Sequence, residues 1–162
     1  MATLRIKFFD DIQTLEEYYK VLSKEYGKYV AVSSHTPLLS NLNIIENIAL
    51  IEEVHQRYNR DISHKNALIK LSQFKMQSLA NKKASQCNEL EKFTLILIRA
   101  SMMTNVTIVI VTPLVQYQSQ NSLDYLLKAM QILKIEERTV ILDLSLYKND
   151  YKEKGLPCHI IE

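Results

Sequence analysis

The side chains of this sequence that could do chemistry are few and scattered. Asp143 lies in the apolar run TVILDL, where a carboxylate is either a buried functional group or the mark of a strand end that reaches water. The second reading is the expectation. His55 and His64 flank a polar turn. A metal centre needs three or four converging ligands, themselves held by hydrogen bonds. No cluster of His, Cys and Asp at such spacing can be written, so no metal is expected. Cys87 stands close to a helix start, which can lower a thiol's pKa. No His is spaced to pair with it, and a structural role is expected. Arg57, Tyr58, Arg60 and Lys65 make a small basic patch, expected to be a solvated helix end. Tyr18, Tyr19, Tyr26 and Tyr29 crowd together, as amphipathic core edges or, alternatively, as an interface.

Phosphate chemistry is limited by glycine. The chain has 2 glycines in 162 residues, Gly27 and Gly155, far apart. A phosphate cradle needs several, because its backbone takes positive φ and approaches the phosphates closely. Neither G-x-x-x-x-G-K-[ST] nor G-x-G-x-x-G can be written. The formal net charge of +2 is too small to imply nucleic acid. Two cysteines make no disulfide framework, so a reduced, cytosolic compartment is the default. No apolar run suits a signal peptide or approaches the ~20 residues of a spanning helix.

The elements that must position these residues follow from periodicity. Strands are predicted at Leu4–Phe9, Tyr29–Ser33, Thr107–Val111, Thr139–Leu144 and Cys158–Ile161. TIVIV, at 107–111, is an unbroken β-branched run, the pattern of a strand buried on both faces. One helix is predicted over Leu15–Tyr26, capped by Thr14 and ended by Gly27. A second spans Asn43–Tyr58, with Ile44, Ile48, Ile51 and Val54 inward. A third spans Ser63–Phe74, capped by Ser63, with Ala67, Leu68 and Leu71 inward. Met76–Lys83 is a short helical turn. Glu89–Met103 is a helix capped by Asn88, and Ser122–Leu133 another, with Leu123, Leu126, Leu127 and Met130 inward. Gln116–Asn121 reads as a polar loop and Lys148–Gly155 as a charged turn. The fold class is α/β: a mostly parallel sheet of about five strands with helices on both faces.

Several pieces, in order, resemble an ATP-binding-cassette (ABC) transporter ATPase domain. GKYVAVSSHTPLLSNLNIIENIAL resembles the family's Q-loop region, with Glu46 and Asn47 on its "E-N". LILIRASMMTNVTIVIVTP resembles the run from signature helix to Walker B, with Arg99, Ala100 and Pro113 at matching offsets. RTVILDLS resembles the strand entering the H-loop. The departures fall on the chemistry. The Q-loop glutamine falls on Ser34, the Walker B aspartate on Val111, the catalytic glutamate on Thr112 and the switch histidine on Ser145. The signature motif falls on 87–91, CNELE, with Glu89 and Leu90 on its glycines, and Walker A has no counterpart. Phosphoryl transfer depends on charges at those positions.

The resemblance therefore implies a P-loop-NTPase-like fold without the P-loop, one degenerate domain over 1–162, with a helical, partner-facing portion over 34–83. It implies no enzyme activity and no cofactor. Leu4–Phe9 is expected to fill the family's Walker A strand position; the alternative leaves that central slot empty. The expected role is a non-catalytic subunit that binds a membrane permease or a catalytic ABC subunit, with homo- or heterodimers open. It would be cytoplasmic, peripheral at the inner face of the cell membrane through its partner. The alternatives are an active ABC transporter ATPase that uses other residues, and a soluble regulatory module with no membrane link. The partner surface is expected at Pro37, Leu38, Leu39, Arg57, Tyr58 and Arg60, beside a groove between the second and third helices.

Overall fold

The computed structural model describes residues 3–113, 122–155 and 158–161. The chain divides into two compact units, residues 1–33 with 106–162, and residues 34–105.

The first unit is built on five strands: β1 (Leu4–Phe9), β2 (Tyr29–Val32), β3 (Thr107–Val111), β4 (Thr139–Leu144) and β5 (Cys158–Ile160). Every pairing is parallel, in the order β2-β3-β4-β1-β5. The β-branched centre behaves as its composition demands: Ile108, Val109 and Ile110 are fully buried, so both faces of β3 are covered. Ile6 of β1 lies level with Ile141 on one side and Ile160 on the other. The first strand thus fills the central slot, and the empty-slot alternative is overturned.

Two helices, α1 (Ile12–Tyr19) and α2 (Leu22–Tyr26), stand where one was predicted. The break comes from three-residue backbone bonds, Val21 N–H to Tyr18 O and Lys24 N–H to Val21 O, which interrupt the four-residue ladder. Asp11, not Thr14, is the cap of α1, because its carboxylate accepts from the Thr14 N–H at 2.7 Å. Gly27 ends α2 at φ +62°, a conformation that side chains disfavour. Phe9, Leu15, Leu22, Val109, Val111, Val140, Leu142 and Leu144 form one core cluster, edged by Tyr18, Tyr19, Tyr26 and Tyr29. Those tyrosines are core edges, as one of the two readings required.

Helix α6 (Ser122–Leu133) buries Leu123, Leu126 and Met130 as its spacing predicts, and Ala129 and Leu133 as well, while Leu127, also predicted inward, is only half-buried. The polar loop predicted at 116–121 lies outside the described residues. The stretch read as a charged turn is a helix, α7 (Lys148–Glu153), for a reason that charge counting hides. Its one aromatic residue, Tyr151, is 1% exposed and meets Phe8 edge-on at 5.6 Å between ring centroids.

The second unit is helical: α3 (Ile44–His55), α4 (Arg60–Gln73) and α5 (Glu89–Ser101), with single 3-10 turns at Gln77–Leu79 and Ala84–Gln86. Asn43 and Asn88 cap α3 and α5 in reciprocal boxes with Glu46 and Glu91. The cap of α4 is Asn59 rather than Ser63. Ser63 is inside the helix, its hydroxyl donating to Asn59 O at 3.0 Å. Val54 and Leu68, predicted inward, are 61% and 41% exposed. The buried stripe of α3 instead runs through Ile44, Ile45, Ile48, Ala49 and Glu52. Glu52 takes the last position because Asn66 of α4 donates to its carboxylate at 2.9 Å. No helix among the described residues is long and apolar enough to cross a membrane.

Candidate functional site

In an open parallel sheet, the place for a ligand is the crevice beyond the strands' C-terminal ends, where neighbouring strands send their connections to opposite faces. Here that place lies between β1 and β4. The chain leaving β1 travels to β2, and the chain leaving β4 travels the other way to β5. Accordingly, α1 packs on the face carrying Phe9 and Leu142, while Tyr151 of α7 lies on the face carrying Phe8.

The residues at this crevice bond mainly to one another. The Ser145 hydroxyl at the end of β4 donates to Asp10 Oδ1, just after β1, at 3.1 Å. Asp11 follows, and both its Thr14 contacts, from N–H and hydroxyl, fall on the same carboxylate oxygen. These bonds hold the Asp11 carboxyl below the usual carboxylate range, the backbone one most. The N-terminus of α1 is therefore already capped by a negative charge, and only Asp10 and Asp11 separate it from β1. Tyr19 and Ser33 add a hydroxyl pair at 3.3 Å beside β2.

Asp143 departs from expectation. It is fully buried, not partly solvated. Its Oδ1 accepts from the Leu144 N–H at 2.9 Å and its Oδ2 from the Tyr151 hydroxyl at 2.6 Å. Burial first, and the Asp143 charge second, push the Tyr151 phenol well above its usual range, so it stays a donor. The sequence signal missed was a lone aromatic inside a charged tract.

Of the positions that the family resemblance aligned with catalytic groups, Val111, Thr112 and Ser145 sit on this sheet edge, and Ser34 is exposed in the other unit. Val111 is 5% exposed within the Phe9–Leu15–Leu22 cluster. Thr112 is buried at φ +47°, unusual for a β-branched residue, and its N–H donates to Leu142 O at 2.7 Å. A serine nucleophile would need a base. The histidine of this unit, His159, lies level with Arg5 at the opposite end of β1 from Asp10. Cys87 is buried, with its thiol pushed up by desolvation, and it donates to Lys83 O at 3.7 Å. His64 Nε2 lies 3.7 Å from Glu53 Oε1, and no group of three His, Cys, Asp or Glu among the described residues could hold a metal ion.

In the helical unit the residues predicted to meet a partner are only partly together. Pro37 is exposed, Leu39 is 43% exposed, but Leu38 is 8% exposed and is not available as a surface residue. Arg57 is exposed at φ +56°, Tyr58 is 44% exposed, and Arg60 pairs with Glu46 at 3.2 Å. The groove expected between α3 and α4 is filled, because the two helices pack directly through Glu52–Asn66 and Glu53–His64. The loop ahead of α3 is pinned from two sides. Asn47 accepts from Leu39 N–H at 2.7 Å and donates to Leu39 O and Asn43 O, each at 3.0 Å. Arg99 of α5 donates to Pro37 O at 2.9 Å and to Thr36 O. Burial lowers the Arg99 pKa.

No protein-family model and no curated protein matches this sequence. A solved structure of the ATP-binding subunit of an ABC transporter matches the fold with a TM-score of 0.66. The match covers 98% of this chain and 75% of that one, at 10% sequence identity. The fold is α/β, with a parallel five-stranded sheet and helices, and is similar to that of an ABC ATPase subunit.

Proposed function

We propose that this protein is a non-catalytic subunit with an ABC ATPase fold, whose work is to bind a protein partner in or around an ABC transport system. One observation carries the reading: among the described residues, the polar groups at the crevice between β1 and β4 are bonded to one another and include no cation. Phosphate binding at such a place needs free N–H groups at a helix start and positive charge nearby. Here Asp11 caps the helix and Asp10 is bonded to Ser145. The neighbouring strand offers Val111 and Thr112 rather than a carboxylate for Mg²⁺. The partner surface is carried by the helical unit: Pro37 and Leu39 on the loop that Asn47 and Arg99 hold by hydrogen bonds, and Arg57, Tyr58 and Arg60 at the junction of α3 and α4. A membrane permease would hold such a subunit at the membrane's cytosolic face.

The test is a thermal melt with Mg²⁺ and ATP. A ligand at 100 times its dissociation constant adds about 2.7 kcal/mol, which a melt resolves. The expected outcome is no shift. A Mg²⁺-dependent rise would instead identify an active nucleotide-binding ATPase. Co-purification of the native protein, with and without Tyr58→Ser and Arg57→Glu together, then tests the partner surface. Retention of the partner by that variant would move the surface elsewhere.

A further inference from the structure

We propose that a cavity at the N-terminal ends of β1 and β5 binds a small molecule through an oxyanion group, a carboxylate or a phosphate monoester. It is a shallow depression, open to solvent, of about 480 Å³, lined by Thr3, Arg5, Glu137 and His159. That volume lies within the range of small-molecule sites. It is at the opposite end of the strands from the β1–β4 crevice, and it stands independently of the role proposed above.

Arg5 and His159 are register partners on adjacent parallel strands, so their side chains leave the same face of the sheet. Arg5 Nη2 donates to Glu137 O at 3.3 Å, which orients the guanidinium. Its Nε–H is buried and has no acceptor among the described residues. A buried donor on a charged group is costly to leave unmatched. The acceptor that suits it is an oxyanion, which a guanidinium binds by paired, charge-assisted bonds. His159 and the Thr3 hydroxyl can supply further donors from the same lining. Glu137, also in the wall, disfavours polyphosphates, which limits the ligand to a low charge.

The experiment is an NMR titration that follows the Arg5 Nε–H and the His159 ring against acetate, inorganic phosphate and pyrophosphate. Acetate or phosphate should shift both signals saturably, and pyrophosphate should bind more weakly than phosphate. Whether acetate or phosphate binds tighter separates the two oxyanion classes. Arg5→Lys keeps the charge but loses the Nε–H donor, so affinity should fall about tenfold or more with the melt unchanged. Absence of saturation, tighter binding of pyrophosphate, or equal affinity in Arg5→Lys would overturn the proposal. If Arg5→Lys does not fold, His159→Gln decides instead: several-fold weaker binding supports the site, and unchanged binding overturns it.

Discussion

The edge of the sheet and the loop ahead of α3 treat their polar side chains differently. At the sheet edge, side chains bond to side chains: Asp10 with Ser145, Asp143 with Tyr151, Tyr19 with Ser33. In the helical unit, beside the side-chain pairs of α3 with α4, side chains also bond to backbone. Asn43 and Asn88 cap helices, Asn47 staples Leu39, and Arg99 holds the carbonyls of Thr36 and Pro37. The first pattern ties these side chains to one another. The second fixes a backbone and leaves apolar groups outward, Val54, Ile62, Leu68 and Ile69 among them.

The sharpest way to break this contrast is to put a carboxylate back on the sheet edge. Val111→Asp should lose about 3–5 kcal/mol in a denaturant melt, because the new charge would be buried without a partner. A variant as stable as the parent would mean that an uncharted cation or water lies beside it. On the other side, Asn47→Ala should lose about 2–3 kcal/mol, since it strands the N–H and carbonyl of Leu39. Hydrogen exchange should show the Leu39 amide opening much faster; unchanged protection would show that the loop is not held by Asn47. Tyr151→Phe should lose about 1–2 kcal/mol by removing one donor from a buried carboxylate. The Tyr151 pKa is raised in the folded state. Its contribution is therefore complete below the ordinary tyrosine range and is lost as pH rises above it. Tyr151→Phe should accordingly show less alkaline destabilisation than the parent. The smallest effect is at Asp11, which is exposed and has a lowered pKa. Its cap stabilises the fold above the ordinary carboxylate range and is lost as pH falls through the lowered folded value. Asp11→Asn should flatten that part of the acid stability curve and nothing else.

The strands were legible in the sequence almost to the residue, because β-branched runs such as Thr107–Val111 report burial on both faces directly. The longer helices were legible too, though α7 was read as a turn and α1 and α2 as one helix, and caps were read one turn late at Thr14 and Ser63. Asp11 and Asn59, three and four residues earlier, are better acceptors for the first free N–H groups. Asp143 was misread because its partner Tyr151 comes from a tract whose charges masked its helix. Leu38 was misread because a loop's inward turn follows from Asn47 and Arg99, which no local pattern reveals. Those same two residues, and Glu46, were among the anchors of the family resemblance, with Ala100 and Pro113. Their work here is structural: Glu46 completes a cap, Asn47 and Arg99 hold a loop. The likeness in sequence thus concerned scaffolding, which is also what the fold comparison recovers.

The position of β1 between β4 and β5 has a consequence for how the chain is made. Leu4 lies level with Cys158, and Ile6 with Ile141. As the ribosome delivers the chain, β1 and β2 emerge early but have no hydrogen-bonded neighbour until the last third appears. Residues 34–105 form a continuous unit and can collapse meanwhile. Such long-range closure is slow and leaves apolar strands waiting. The charges at Arg5, Lys7, Asp10 and Asp11 flank or interrupt the apolar residues of the first strand, the pattern that guards a waiting apolar segment against aggregation.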